Sequence, residues 1–107
     1  MAKAREAELI LKALPIETPL VALDERGTAW SSREFADRLG QWRDRGTAEL
    51  AFAIGGAEGL AATVLDRAAA ALSLGPMTWP HLLVRGMLLE QLYRAQQILA
   101  GHPYHRE

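Results

Sequence analysis

A short glycine-rich segment is the first part of the sequence whose residue types could do chemistry. Ile54-Gly55-Gly56-Ala57-Glu58-Gly59-Leu60 places three glycines within five residues. Glycine lets the backbone bend tightly and lets a ligand approach without meeting a Cβ atom. The segment is not a phosphate-binding loop, because no Lys follows, and it lacks the G-x-G-x-x-G spacing of a dinucleotide fingerprint. By themselves, the glycines are equally consistent with a tight turn that only joins a strand to a helix.

Continuous apolar runs predict the strands that position this turn. The run 19–24, closed by a turn at 25–27, and the run 50–54 are predicted to be buried strands, and 74–79 a third strand interrupted by Pro76. Continuous rather than alternating runs indicate a parallel sheet that is covered on both faces. Ligands bind at the carboxyl ends of such strands, so we expect a site where these three runs end.

Helical periodicity fills the intervals between the strands. Helices are predicted at 2–13, from a capping box of Ser31 with Glu34 up to Gly46, at 58–72 and at 82–100. Phe35, Leu39 and Trp42 share one side of the second helix. The resulting order is helix, strand, helix, strand, helix, strand, helix, so we expect residues 1–107 to form a single α/β domain.

Composition and charge exclude several classes of protein. Half of the 107 residues are apolar and 23% are charged, which fits one small globular domain. The net charge of −1 argues against a nonspecific nucleic-acid binder, so any RNA contact must be local. Because there is no Cys, disulfides and thiolate metal sites are excluded, and no metal is predicted. Neither a membrane span nor a signal peptide is recognisable, so we expect a cytoplasmic protein that does not contact membranes.

Four motifs in a fixed order carry a family resemblance. The glycine segment 54–60 is followed by Leu-Ser-Leu-x-x-Met-Thr-x-Pro-His-x-x-x-Arg at 72–85, by Glu-Gln-Leu-Tyr-Arg-Ala at 90–95 and by His-Pro-Tyr-His at 102–105. Together they resemble the ribosomal RNA large subunit methyltransferase H family from about Leu20 to Glu107. The resemblance implies the SPOUT class of α/β fold, in which the C-terminal part of the chain forms a trefoil knot, an exception to the rule against knots.

The resemblance also implies a cofactor, a substrate and an assembly. Family members are homodimers that use S-adenosylmethionine to methylate N3 of a pseudouridine in the large-subunit ribosomal RNA. Matched position by position, the expected cofactor-binding residues are Leu23, Gly55, Leu74, Gly75, Pro76, Met77, Thr78 and Trp79. Backbone groups would make many of the contacts with the cofactor. Its apolar parts would be covered by Leu23, Leu74, Met77 and Trp79.

The same resemblance suggests residues for catalysis and for RNA binding. His105 is the first candidate for contact with the target base or for removal of its imide proton, because an imidazole titrates near neutral pH. His81, Arg85, Tyr104 and Arg106 are candidates for contacting RNA phosphate or the flipped nucleotide.

Plainer explanations exist for several of these residues. His81 follows Pro80 and could simply cap the last helix. Tyr93 and Arg94 are better explained as support for a dimer helix than as substrate contacts. Without the resemblance, the tail would look like a disordered chain end. Trp30 and Trp42 are assigned to packing, since nothing ties them to chemistry.

The chain departs from the family at its N-terminus, where the family's first strand-helix-strand segment has no counterpart. That segment would lie next to the strand 50–54, which we therefore expect to be an apolar edge. Cofactor binding is expected to survive this loss better than RNA methylation. Two functions thus stay open: an S-adenosylmethionine-dependent ribosomal RNA methyltransferase, and a non-catalytic dimeric knotted module that retains the cofactor pocket.

The predicted C-terminal helix is the expected dimer interface. Its apolar surface is wider than one side of a three-stranded sheet needs. That surface comprises Leu83, Met87, Leu88, Leu92, Ala95 and Leu99. We expect part of it to pair with the same surface of a second copy in an isologous contact.

Overall fold

In the part of the chain that the structure describes, four helices alternate with three strands, in the order that the sequence predicts. The computed structural model describes residues 2–55 and 59–101, with side chains from residue 5 onward. The elements are α1 (Ala2–Ala13), β1 (Leu20–Ala29), α2 (Ser32–Asp44), β2 (Ala51–Ile54), α3 (Ala62–Arg67), β3 (Ala70–Ser73) and α4 (His81–Leu99). Among these described helices, none has the length and hydropathy that a membrane span requires.

The three strands form one parallel sheet in the order β2-β1-β3. Leu20 lies opposite Ala51 of β2, and Val21 lies opposite Ala70 of β3. β1 is therefore the central strand, and its apolar run is almost completely buried. β2 is an edge strand in this sheet, as expected for the run 50–54.

Side chains of β1 alternate between two hydrophobic layers. Leu20 and Ala22 point to a layer that includes Ala7 of α1 and Val64 of α3. Val21 and Leu23 point to the opposite layer, which contains buried residues of α2 and α4. Successive strand residues face opposite sides, so an uninterrupted apolar run requires cover on both faces. The prediction of a small parallel sheet with helices on both faces is confirmed.

Helix α2 begins and ends where its local signals predict. The Ser31 side chain accepts a hydrogen bond from the Glu34 backbone N–H, and the Glu34 side chain accepts one from the Ser31 N–H. These bonds satisfy two N–H groups that lack partners within the helix. Just past the helix, Gly46 has a φ of 83°, a conformation that favours glycine.

The turn predicted at 25–27 is wrong, because β1 continues to Ala29. Leu23 and Thr28 both pair with Leu72 of β3, so the intervening residues form an irregularity in the ladder. A Cβ atom at Gly27 would lie 2.6 Å from the backbone carbonyl carbon of Ala71. The glycine that resembles a turn residue therefore allows close approach of two strands.

The helix predicted at 58–72 and the strand predicted at 74–79 are also misplaced. α3 spans only six residues, β3 occupies Ala70–Ser73, and the residues from 74 to 80 have no regular secondary structure. The Ala69 backbone N–H donates to the Leu20 carbonyl at 2.8 Å, which starts the pairing with β1. Alanine has high helix propensity, but strand pairing in the core overrides this local preference.

Both ends of helix α4 lie within one residue of the predicted bounds, and the helix is flanked by Pro80 and Gly101. It packs mainly on α2, and its buried residues are Leu88 and Ala95. Leu92 and Leu99 pack against the same core. Four of the six residues of the apolar surface predicted for dimerisation therefore pack within their own chain. The large apolar side chains exposed along α4 are those of Leu82, Leu83, Leu89 and Tyr93.

Candidate cofactor site

One cavity of about 330 Å³ lies at the carboxyl ends of the strands. Residues 23–26 of β1 form one wall, and Ile54, Gly55 and Gly59 form a second. Leu72, the segment from Leu74 to Trp79 with the exception of Pro76, and Val84 complete the lining. The volume falls within the range of small-molecule sites, about 300–1,000 Å³. The three chain segments expected to surround a ligand thus meet at one place.

Seven of the eight predicted cofactor-binding residues line this cavity. They are Leu23, Gly55, Leu74, Gly75, Met77, Thr78 and Trp79. Pro76 is exposed and is not among the lining residues. The backbone bend next to Pro76 comes from Gly75, whose φ of 109° is strained for any residue with a side chain.

The segment after β3 is shaped by short-range hydrogen bonds. The Ser73 hydroxyl accepts a bond from the Gly75 backbone N–H at 3.1 Å and lies 3.2 Å from the Gly75 carbonyl oxygen, to which it donates. Farther along, the Trp79 indole N–H lies 3.4 Å from the Leu74 carbonyl oxygen. These contacts fold the segment back on itself and present apolar side chains to the cavity, with Met77 still 67% exposed.

Gly55 and Gly59 are both positions that disfavour a side chain, Gly55 for lack of space and Gly59 for its backbone conformation. A Cβ atom at Gly55 would lie 2.7 Å from the backbone carbonyl carbon of Gly59, which no real Cβ contact tolerates. Gly59 has a φ of 79°, and a Cβ atom there would lie 3.6 Å from an Asp24 carboxylate oxygen. Gly55 and Gly59 therefore bring backbone, rather than side chains, to the cavity wall.

The same wall of the cavity carries an ion pair that the sequence did not predict. The Arg26 Nε donates to Asp24 Oδ1 at 2.9 Å, and Arg26 Nη2 donates to Asp24 Oδ2 at 3.0 Å. The Arg26 backbone N–H also donates to Asp24 Oδ1 at 2.9 Å. The side-chain bonds from Arg26, reinforced by its backbone N–H and opposed by burial, hold the pKa of Asp24 at about 2. The signal that could have pointed to this pair is the presence of charged residues directly after an apolar strand run.

The ion pair joins two of the converging segments. Arg26 Nη2 also donates to the Leu60 carbonyl oxygen at 3.2 Å, just beyond the glycine turn. The Asp24 side chain is 2% exposed, whereas that of Arg26 is 60% exposed. The carboxylate is therefore enclosed by the protein, and the guanidinium sits between it and solvent.

The candidate RNA-binding residues divide into those the structure describes and those it does not. His81 Nδ1 lies 3.4 Å from the Gly55 carbonyl oxygen, which places the first residue of α4 beside the glycine turn. The cap position of α4 is Pro80, which makes no side-chain cap hydrogen bond, and His81 is the first residue of the helix, so the capping role considered for His81 is not observed. Arg85 is exposed on α4 and is not among the cavity-lining residues. Tyr104, His105 and Arg106 lie outside the described residues.

Comparison with known sequences identifies the class of protein to which this sheet and its cofactor-sized cavity belong. Residues 1–105 match the protein family described as "Predicted SPOUT methyltransferase". The chain therefore belongs to the SPOUT methyltransferase family, whose members use S-adenosylmethionine as the methyl donor. The cofactor expected from the motifs is confirmed as that of the family.

Curated relatives narrow the family further. The chain is 64% identical over 104 residues to "Ribosomal RNA large subunit methyltransferase H" of Rhodospirillum centenum, covering 97% of this chain and 68% of that protein. Proteins of the same name from Paramagnetospirillum magneticum and Cereibacter sphaeroides are 58% and 62% identical, with 97% and 94% of this chain and 68% and 64% of theirs covered. The resemblance found in the motifs is thus confirmed. The chain spans about two thirds of the length of these relatives.

Proposed function

We propose that this protein transfers a methyl group from S-adenosylmethionine to N3 of a pseudouridine in large-subunit ribosomal RNA. The observation that carries the proposal is the convergence of three strand ends on one cavity, in a chain of the SPOUT family. The name of the relatives, ribosomal RNA large subunit methyltransferase H, supports the choice of substrate. A cytoplasmic location follows from that substrate and stays a prediction.

The residues around the cavity fit this cofactor. Leu23, Leu74, Met77 and Trp79 offer apolar surface for the adenine ring and the methionine chain. Gly55 and Gly75 line the cavity without side chains, so adenosine can come close to the backbone there. When bound, S-adenosylmethionine supplies an electrophilic methyl carbon on a sulfonium that is a good leaving group.

The main contribution of the protein to catalysis is to position the two reactants. Methyl transfer requires the pseudouridine N3 in line with the carbon-sulfur bond, and alignment of reactants supplies a large part of the acceleration. His81, held beside Gly55, is proposed to contact the RNA near the cavity, with Arg85 farther along α4. We assign proton removal or base contact to His105, and RNA contacts to Tyr104 and Arg106. These tail roles depend on the matched motif alone.

We further infer that the active form is a homodimer. Leu82, Leu83, Leu89 and Tyr93 expose large apolar surface along α4, although the opposite side of this helix is already buried in its own chain. A one-chain fold has no need for such a surface, and self-association would remove it from water. The α4 surface defined by these four residues is the proposed interface.

A C-terminal trefoil knot is part of the same proposal. β3 pairs with β1 rather than with β2, and α4 returns to contact Gly55 through its first residue. This path, together with family membership, supports threading of the C-terminal segment through a loop. Single-molecule stretching should then give a fully extended length shorter than the roughly 3.3–3.6 Å per residue of an unknotted chain. The full length would contradict the knot.

Cofactor binding and methylation test the proposal separately. Calorimetric titration with S-adenosylmethionine should detect a saturable site, and large subunits from cells lacking the modification should accept a labelled methyl group at one pseudouridine. Binding without methylation would favour the non-catalytic knotted module. Absence of binding by both calorimetry and equilibrium dialysis would contradict either function.

A substitution in the cavity should weaken cofactor binding. Met77→Ala removes apolar cover from the ligand, so the Kd for S-adenosylmethionine should rise roughly five- to tenfold. Leu9→Ala is the matched control, because Leu9 is similarly exposed, at 63% against 67% for Met77, and lies on α1 away from the cavity. An equal effect of both substitutions on Kd would count against the cavity as the cofactor site.

A further inference from the structure

We propose that Arg26 forms a subsite for the carboxylate of the methionine part of the methyl donor. The inference rests on the proposed function and extends it to a residue outside the motifs that carry the family resemblance. It assigns to Arg26 the recognition of the amino-acid portion of the cofactor, rather than of adenosine. Its first support is position, since Arg26 lines the same cavity as Gly55 and Trp79.

The hydrogen bonds of Arg26 leave one part of its guanidinium unused. Nε and Nη2 are directed to the Asp24 carboxylate, and Nη2 also reaches the Leu60 carbonyl. Within the described part of the chain, Arg26 Nη1 has no hydrogen-bond partner. A guanidinium carries five N–H donors in a planar fork, so a second carboxylate can be accepted at Nη1 while Asp24 keeps the first edge.

The geometry also prepares the side chain for a ligand. Asp24 and Leu60 hold the guanidinium in place. Less side-chain conformational entropy is therefore lost when an anion binds. The Arg26 side chain is 60% exposed and that of Asp24 only 2%, so the guanidinium is the more accessible member of the pair.

The charges of cavity and cofactor match. The charged residues lining the cavity are Asp24, Glu25 and Arg26, so two carboxylates and one guanidinium give a net charge of −1. S-adenosylmethionine carries one sulfonium, one ammonium and one carboxylate, a net charge of +1 at neutral pH. Arg26 is the only cation among the described residues of the lining. It is therefore the side chain able to pair with the single anionic group of the ligand.

Two ligands that differ in the amino-acid portion test the subsite. S-adenosylhomocysteine has the carboxylate, whereas 5′-methylthioadenosine keeps adenosine and the thioether but lacks the amino-acid group. Arg26→Met should raise the Kd for S-adenosylhomocysteine roughly three- to tenfold and leave the Kd for 5′-methylthioadenosine unchanged. Arg43→Met is the matched control, because Arg43 also bonds an aspartate, at 3.2 Å, but does not line the cavity.

A second variant is a control for misfolding of the first. Arg26→Met leaves the buried Asp24 carboxylate without its partner, so the double variant Asp24→Asn with Arg26→Met removes that charge and should show the same selective loss. Equal weakening of both ligands, or of neither, would overturn the subsite while leaving the proposed function intact. Failure of the unsubstituted protein to bind either ligand would instead overturn the proposed function, and the subsite with it.

Discussion

At the scale of single residues, Asp24 is the clearest case of a side chain whose chemistry is set by its surroundings. Its pKa of about 2 lies below the usual 3.8 because Arg26 donates three hydrogen bonds to the carboxylate. A lowered carboxyl pKa means that the ionised form stabilises the fold. This stabilisation is fully present above pH 3.8 and is lost as the pH falls through about 2.

Asp24→Asn should therefore lower the free energy of unfolding at pH 7 by about 1–2 kcal/mol, after allowance for the solvent around Arg26. The difference from the unsubstituted protein should narrow as the pH falls from about 4 toward 2. Urea denaturation across this pH range measures it. Asp44→Asn is the control, since Asp44 also accepts a bond from an arginine but its side chain is 71% exposed. Equal destabilisation by both substitutions would refute a special role for Asp24.

At the scale of elements, the start of α2 is decided by residues adjacent in the chain. The reciprocal bonds of Ser31 and Glu34 satisfy N–H groups at the first turn, and Phe35 and Trp42 then face the core. Ser31→Ala should cost about 1 kcal/mol of stability, because the cap is lost without any change in the core. Ser31→Asp keeps an oxygen acceptor at the cap and should remain close to the original stability. Thermal unfolding compares the two, and indistinguishable melting temperatures would argue against the cap as a stabilising feature.

At the scale of the whole molecule, the α4 surface decides whether one chain or two form the functional unit. Leu89→Glu places a charge in the middle of that surface, so a dimer should dissociate at micromolar concentration because burial of an unpaired carboxylate is unfavourable. Leu9→Glu is the matched control, with an exposure of 63% against 65% for Leu89, on a helix outside the interface. Sedimentation velocity gives the answer. A monomer before substitution, or dissociation by both variants, would contradict the proposed interface.

The features that could be predicted from the sequence are local ones, or are carried by motifs. The capping box at Ser31, the helix stop at Gly101 and the apolar run of β1 need only neighbouring residues, so periodicity and caps predicted them. The family motifs identified the methyltransferase class and the segments that meet at the cavity. Their roles in binding remain proposals for experiment.

Features that depend on residues distant in the chain could not be predicted from local patterns. Ala70–Ser73 became a strand because β1 offered hydrogen-bonding partners some fifty residues away, and no local pattern records that pairing. Gly27 resembles a turn residue in the sequence, but in the fold the backbone of Ala71 lies directly against it. The exposed side of α4 and the bond from Arg26 to the Leu60 carbonyl likewise required knowing what each segment packs against. Local signals specify the capped ends of α2 and α4, whereas strand bounds, strand partners and buried ion pairs arise from contacts that form only when the chain folds.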